Sequence, residues 1–124
     1  MSTHAYDLAS AVTVSTALTP AVRTADVQGP AIDLIGSDGE CFAIQQVGSL
    51  SGGATWLGSI EESADSTSWF PVTDAEFAAV LASNNTQVIR FTRTQRYVRY
   101  TATLTGSSPS VAVSAVIGEQ KKTF

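Results

Sequence analysis

Residues 96–104, Arg96-Tyr97-Val98-Arg99-Tyr100-Thr101-Ala102-Thr103-Leu104, decide the fold class. Val98, Tyr100, Ala102 and Leu104 alternate with Tyr97, Arg99, Thr101 and Thr103. A period of two rich in β-branched and aromatic residues is the pattern of a strand with one face buried and the other in solvent. Downstream, Val111, Val113, Ala115 and Ile117 alternate with Ala112, Ser114 and Val116, and residues 105–109, Thr-Gly-Ser-Ser-Pro, supply the turn between the two runs. Upstream, residues 87–92 read as a third strand that forms a hairpin with 96–104.

Working back from this region, the same signals recur. Residues 31–35 (Ala-Ile-Asp-Leu-Ile) form a short strand closed by Gly36-Ser37-Asp38-Gly39, whose Asp-Gly step signals a tight turn. In residues 41–47, Phe42 and Ile44 share one face and Cys41, Ala43 and Val47 the other, and the small second set suits a close approach of two layers. A loop over 48–53 leads to residues 55–62, where Gly58 lies between Trp56 and Ile60 on one face and marks a bulge or room for an aromatic neighbour. The turn at 64–68 returns the chain as Trp69-Phe70-Pro71-Val72. One helix is expected next: Thr73 precedes Glu76 by the capping-box spacing, and Phe77, Val80 and Leu81 fall on one face before Asn84-Asn85 ends it. Residues 1–30 read as an N-terminal arm or an edge strand over 11–18, with residues 31–124 as the domain proper. Short strands with turns every eight to twelve residues make the chain all-β, an antiparallel β-sandwich or a jelly-roll-like variant with one short helix.

Composition narrows the function. At 124 residues the chain is one domain long, and 30 of those residues are Ser or Thr, a bias toward strands and polar turns. The single Cys41 forms no internal bridge, which removes the disulfide-rich class. The amino terminus lacks a secretory leader's basic start and apolar run, and the longest apolar run, residues 77–82, is far short of a membrane span, so no membrane partner is expected. The net charge of −4 argues against nucleic acid as a partner. That charge is unevenly spread: ten acids and Arg23 give −9 over residues 1–89, and six bases with Glu119 give +5 over 90–124.

No catalytic group or cofactor site is expected. His4, the single histidine, lies in the arm as a solvated tail residue, and Cys41 alternates with core positions as a small hydrophobe. Asp33, Asp38 and Glu40 flank one turn and Glu61, Glu62 and Asp65 another, but neither set has the spacing of a Ca²⁺ loop, and acids in turns commonly cap backbone N–H groups. The unusual feature is basic. Arg90, Arg93, Arg96 and Arg99 fall within ten residues on the expected hairpin, with Tyr97 beside them, and Arg and Tyr are residues favoured in interface hot spots. These five residues are the candidate docking surface for an acidic partner, a second copy of the chain included. The alternative is a solvated face balanced by local acids.

Several segments in order, Leu18-Thr19-Pro20-Ala21-Val22-Arg23-Thr24, Gly29-Pro30-Ala31-Ile32-Asp33-Leu34-Ile35-Gly36, Phe42-Ala43-Ile44-Gln45-Gln46-Val47-Gly48, and Ile60-Glu61-Glu62-Ser63-Ala64-Asp65 with Trp69-Phe70-Pro71-Val72, resemble small structural proteins of tailed bacteriophages. Arg96-Tyr97-Val98-Arg99-Tyr100 followed by residues 111–118 resembles their closing hairpin. The resemblance implies a non-enzymatic virion protein made in the host cytoplasm, a capsid decoration or cement protein on the capsid surface that bridges major capsid subunits. It also implies a homo-oligomer, with a trimer suiting three-fold capsid positions. Two alternatives stand beside it. One is a tail or head-to-tail connector component; the other is a carbohydrate-binding module using Trp56, Trp69, Tyr97 and Tyr100.

Overall fold

The strand read first from the sequence sits at the centre of one of two packed sheets. The computed structural model describes residues 12–35 and 37–121. Its strands are β1 (Val12–Arg23), β2 (Val27–Gln28), β3 (Ile32–Asp33), β4 (Ser37–Ser51), β5 (Thr55–Ser63), β6 (Phe70–Glu76), β7 (Asn85–Thr92), β8 (Tyr97–Thr105) and β9 (Ser110–Lys121). One sheet has the order β1-β9-β4-β7; the other runs β2-β8-β5-β6, with β3 also on β8, and every pairing is antiparallel. With β2 and β3 taken as two pieces of one strand, the first pairs with the last, the second with the next to last, and so on inward to β5 with β6. That nested pairing, folded over into two sheets, is a jelly roll.

The alternation read for residues 96–104 holds: Val98, Tyr100, Ala102 and Leu104 are buried, as are Val111, Val113, Ala115 and Ile117 of β9. In a jelly roll, however, consecutive strands usually change sheets. Thus β7 and β8 do not form the expected hairpin, nor do β8 and β9; each pair lies in opposite sheets. The Asp38-Gly39 step, expected to turn the chain, lies within β4 at a register shift between Ser37 and Cys41. Only the β5–β6 return over 64–68 is a hairpin as expected. There Ser63 Oγ accepts from Ser66 N (2.8 Å) and Asp65 Oδ1 accepts from Thr67 N and Ser68 N (2.9 and 3.0 Å). The expected arm or edge strand divides: residues 12–23 are β1, at the edge of the four-stranded sheet, and residues 1–11, His4 among them, lie outside the described residues.

The expected helix is absent; among the described residues there is no helix. Residues 73–76 belong to β6, and Asp74 has a φ of 60°, which no helix accommodates. The N–H groups that a helix would satisfy internally are taken by strands. Phe77 N donates to Gly58 O (2.9 Å), Val80 N to Trp56 O (2.8 Å), and Gln87 clamps both backbone groups of Ala78. Phe77 and Val80 do reach the core, while Leu81 is 71% exposed. Helical spacing therefore reflected two core contacts made by an irregular segment.

A hydrogen-bonded chain joins the two sheets through the core. Trp56 Nε1 donates to Tyr100 Oη (2.8 Å), and Tyr100 Oη donates to Gln45 Oε1 on the opposite sheet, all three side chains fully buried. Gly58 makes the space, since a Cβ there would overlap both Gln45 Oε1 and Tyr100 Oη. Tyr100→Phe strands the Trp56 N–H and the Gln45 amide, so it should lower unfolding free energy by about 1–3 kcal/mol. Gly58→Ala should cost about as much through overpacking. Urea midpoints at constant m-value measure both.

Burial, and next the nearby Glu119 carboxylate, push the Cys41 thiol from 9.0 up to about 11. Burial also raises the Tyr100 phenol above its usual 10.0. The unfolded chain loses each proton first, so the Cys41 effect is full below pH 9.0 and is lost as pH rises from there through about 11, and the Tyr100 effect begins to be lost above pH 10.0. The urea midpoint should fall between about pH 8 and about pH 10.5, and Cys41→Ala should reduce the fall.

Candidate functional site

Three of the four arginines of the candidate surface, Arg93, Arg96 and Arg99, lie around the corner where the chain crosses from β7 in one sheet to β8 in the other. A crossing loop leaves backbone groups without a ladder partner, and the side chains of Glu62 and Arg93 supply them. Glu62 Oε1 accepts from Thr94 N (2.8 Å) and Gln95 N (3.2 Å), while its Oε2 accepts from Thr94 Oγ1 (2.9 Å). Arg93 donates to Gln95 O (2.9 Å) and to Leu34 O, and Leu34 N donates to Arg96 O (2.9 Å). Residues 32–35, 61–62 and 93–97 are thereby tied into one end of the sandwich.

The remaining cations are paired as well, with one exception. Arg96 forks onto Asp33 through Nε–Oδ1 (2.9 Å) and Nη2–Oδ2 (2.7 Å) and lies 5.1 Å from the Tyr97 ring centroid. The Arg96 hydrogen bonds hold the Asp33 carboxyl below the usual carboxylate range. Arg99 meets Glu61 Oε1 at 2.7 Å and stacks 4.4 Å above Trp69. Arg90 is exposed on β7, outside this corner, with no ion pair among the described residues. The structure therefore gathers Arg93, Arg96, Tyr97 and Arg99 and separates Arg90 from them. The acidic and basic halves of the sequence meet within one chain, so the corner presents paired charges in place of a bare basic patch.

The other sequence candidates resolve similarly. Cys41 is buried. Asp65 is occupied by turn N–H groups, which hold its carboxyl below the usual range, Ser68 contributing most. Among the described residues no group of three His, Cys, Asp or Glu side chains could hold a metal ion. Of the four aromatics proposed to stack on sugars, Trp56 and Tyr100 are core, and Trp69 and Tyr97 carry guanidinium groups.

A second surface was missed at the sequence level. Outward positions of the four-stranded sheet bring together Val14 of β1, Val116 of β9, Phe42 and Ile44 of β4, and Val88 of β7, in adjacent registers. Val14 and Val88 are 55% and 62% exposed. On the other sheet, the outward positions carry mainly Thr55, Ser59, Thr101, Thr103 and the Arg99–Glu61 pair, with Leu57 (38% exposed) among them. The clue lay in β4 and β9, which are apolar at odd and even positions alike. Strands of that kind are covered on both faces.

No protein-family model and no curated protein matches this chain.

Replacing Arg99 by Ala removes both the Glu61 pair and the Trp69 stack from a partly buried site and should cost about 1–2 kcal/mol. Arg96→Ala, at an open pair, should leave thermal stability nearly unchanged at physiological salt. Thermal melts of the two variants provide the comparison.

Proposed function

We propose that this protein is a non-enzymatic structural component of a tailed-phage virion, a decoration or cement protein that bridges neighbouring major capsid subunits. The observation that carries the reading is the unlike pair of outer faces. A free-standing antiparallel sandwich keeps both outer faces polar, whereas here the four-stranded sheet exposes Val14, Val22 and Val88 beside half-buried Phe42, Ile44 and Val116. Such a face is built for burial against protein. Bridging needs at least two contact surfaces, and the molecule offers two of different chemistry: this apolar face, and the corner where Arg96, Tyr97 and Asp33 stand at the rim. The resemblance of the segments between residues 18 and 118 to small phage structural proteins supports the same reading. Jelly rolls serve viral shells and also lectins, so the fold supports it only by analogy.

The test is sedimentation of purified protein with expanded capsids lacking decoration. The expected result is saturable binding at on the order of hundreds of copies per particle, with capsids surviving to a higher temperature; about six to twelve copies would place the protein in a connector or tail ring instead. Absence of binding overturns the assignment.

A further inference from the structure

The apolar face is divided along its length. Toward one end stand the large side chains: Val14, Phe42, Ile44, Val88 and Val116 form a ridge across all four strands. Phe42 lies flat over Gly118, where any Cβ would collide with its ring. Toward the other end the outward positions are small or short except for the exposed Gln46, and with it Pro20, Val22, Gly48, Ala112 and Ser114 line an open groove of about 560 Å³. Ridge and groove share one sheet, with a register shift of β1 against β9 between Thr16 and Ala21 separating them at that edge.

We infer that this face is the interface of a two-fold homodimer in which the ridge of each copy fills the groove of the other. An axis lying in the plane of the interface and perpendicular to the strands inverts the rows, placing ridge over groove twice in a single contact; an isologous interface requires this self-complementarity. Area is sufficient: four strands about 4.8 Å apart and eight residues rising about 3.3 Å each give a face on the order of 500 Å². Two copies then bury about 1,000 Å², the lower bound of a specific interface. Charge permits it too. Among the described residues the charged side chains on the face are Glu40 and Arg90, both at the ridge end, so these oppose no like charge of the second copy across the contact. This inference rests on the reading of the face as one built for burial against protein, and it names a second copy as the occupant. The pairing is two-fold, in place of the trimer that capsid symmetry suggests.

Analytical ultracentrifugation of the full chain tests it. Wild type should sediment at twice the 13.0 kDa chain mass at about 100 µM. Ile44→Glu on the ridge and Ala112→Arg in the groove should each weaken pairing by at least about 100-fold while circular dichroism stays native. Val88→Glu, at an exposed position, serves if Ile44→Glu fails to fold. Mixing Ile44→Glu with Ala112→Arg chains should restore dimers, because one contact then sets Glu against Arg and the other is unaltered. A monomeric wild type, a trimer, or a dimer indifferent to all three substitutions overturns the inference. Capsid sedimentation is read separately: a monomer that binds capsids defeats only the pairing, and a dimer that does not bind them defeats only the virion assignment.

Discussion

The chain Trp56 Nε1 to Tyr100 Oη to Gln45 Oε1 is the constraint on which the sandwich depends. It crosses from β5 and β8 to β4, so it sets how the two sheets face each other, and its members are fully buried. Buried polar groups are strongly specifying because an unpaired one costs far more than an exposed one. Sliding one sheet over the other would strand the Tyr100 hydroxyl and the Gln45 amide oxygen together. Gly58 is part of the same device, since only a residue without a Cβ leaves room for the Tyr100 hydroxyl and the Gln45 amide above β5. Phe77 completes the enclosure, its ring 6.0 Å from that of Tyr100. The irregular segment 77–84 therefore lies where it does because the core requires an aromatic there and β5 offers backbone partners.

Around this centre, the jelly-roll path governs where charge resides. Each crossing between sheets leaves carbonyl and N–H groups to be met by side chains, and at the β7–β8 corner Glu62 and Arg93 meet them. Arg96 and Arg99 then compensate Asp33 and Glu61 on adjoining strands. A cluster that looks like a basic docking patch along the sequence is neutralised by carboxylates more than thirty residues upstream. The apolar outer face belongs to the sheet opposite the ion pairs.

Two kinds of information were read from the residues with different success. Inward and outward assignments within β4, β5, β8 and β9 followed from period two and agree with burial, as does the room beside Gly58, because side-chain alternation is a property of one strand. Strand neighbours did not follow. Turn signals such as Thr105-Gly106-Ser107-Ser108-Pro109 announce that the chain reverses, yet a reversal within a sheet and a crossing between sheets use the same residues. The helix at 73–81 failed for a related reason. A three-residue spacing between Phe77 and Val80 brings both to the core in an irregular segment as readily as in a helix, and β5 competes for their N–H groups.

The sequence by itself determined the all-β class, the two faces of β4, β5, β8 and β9 and the uneven distribution of charge, since these depend on local periodicity and composition. Only the tertiary structure decided that β7, β8 and β9 change sheets, that Arg96 and Arg99 are bound by Asp33 and Glu61 at a corner, and that Val14, Phe42, Ile44, Val88 and Val116 share one outer face. These features join residues far apart in the chain. They arise from long-range strand pairing, in which closure costs are repaid only by contacts made after the whole roll has folded.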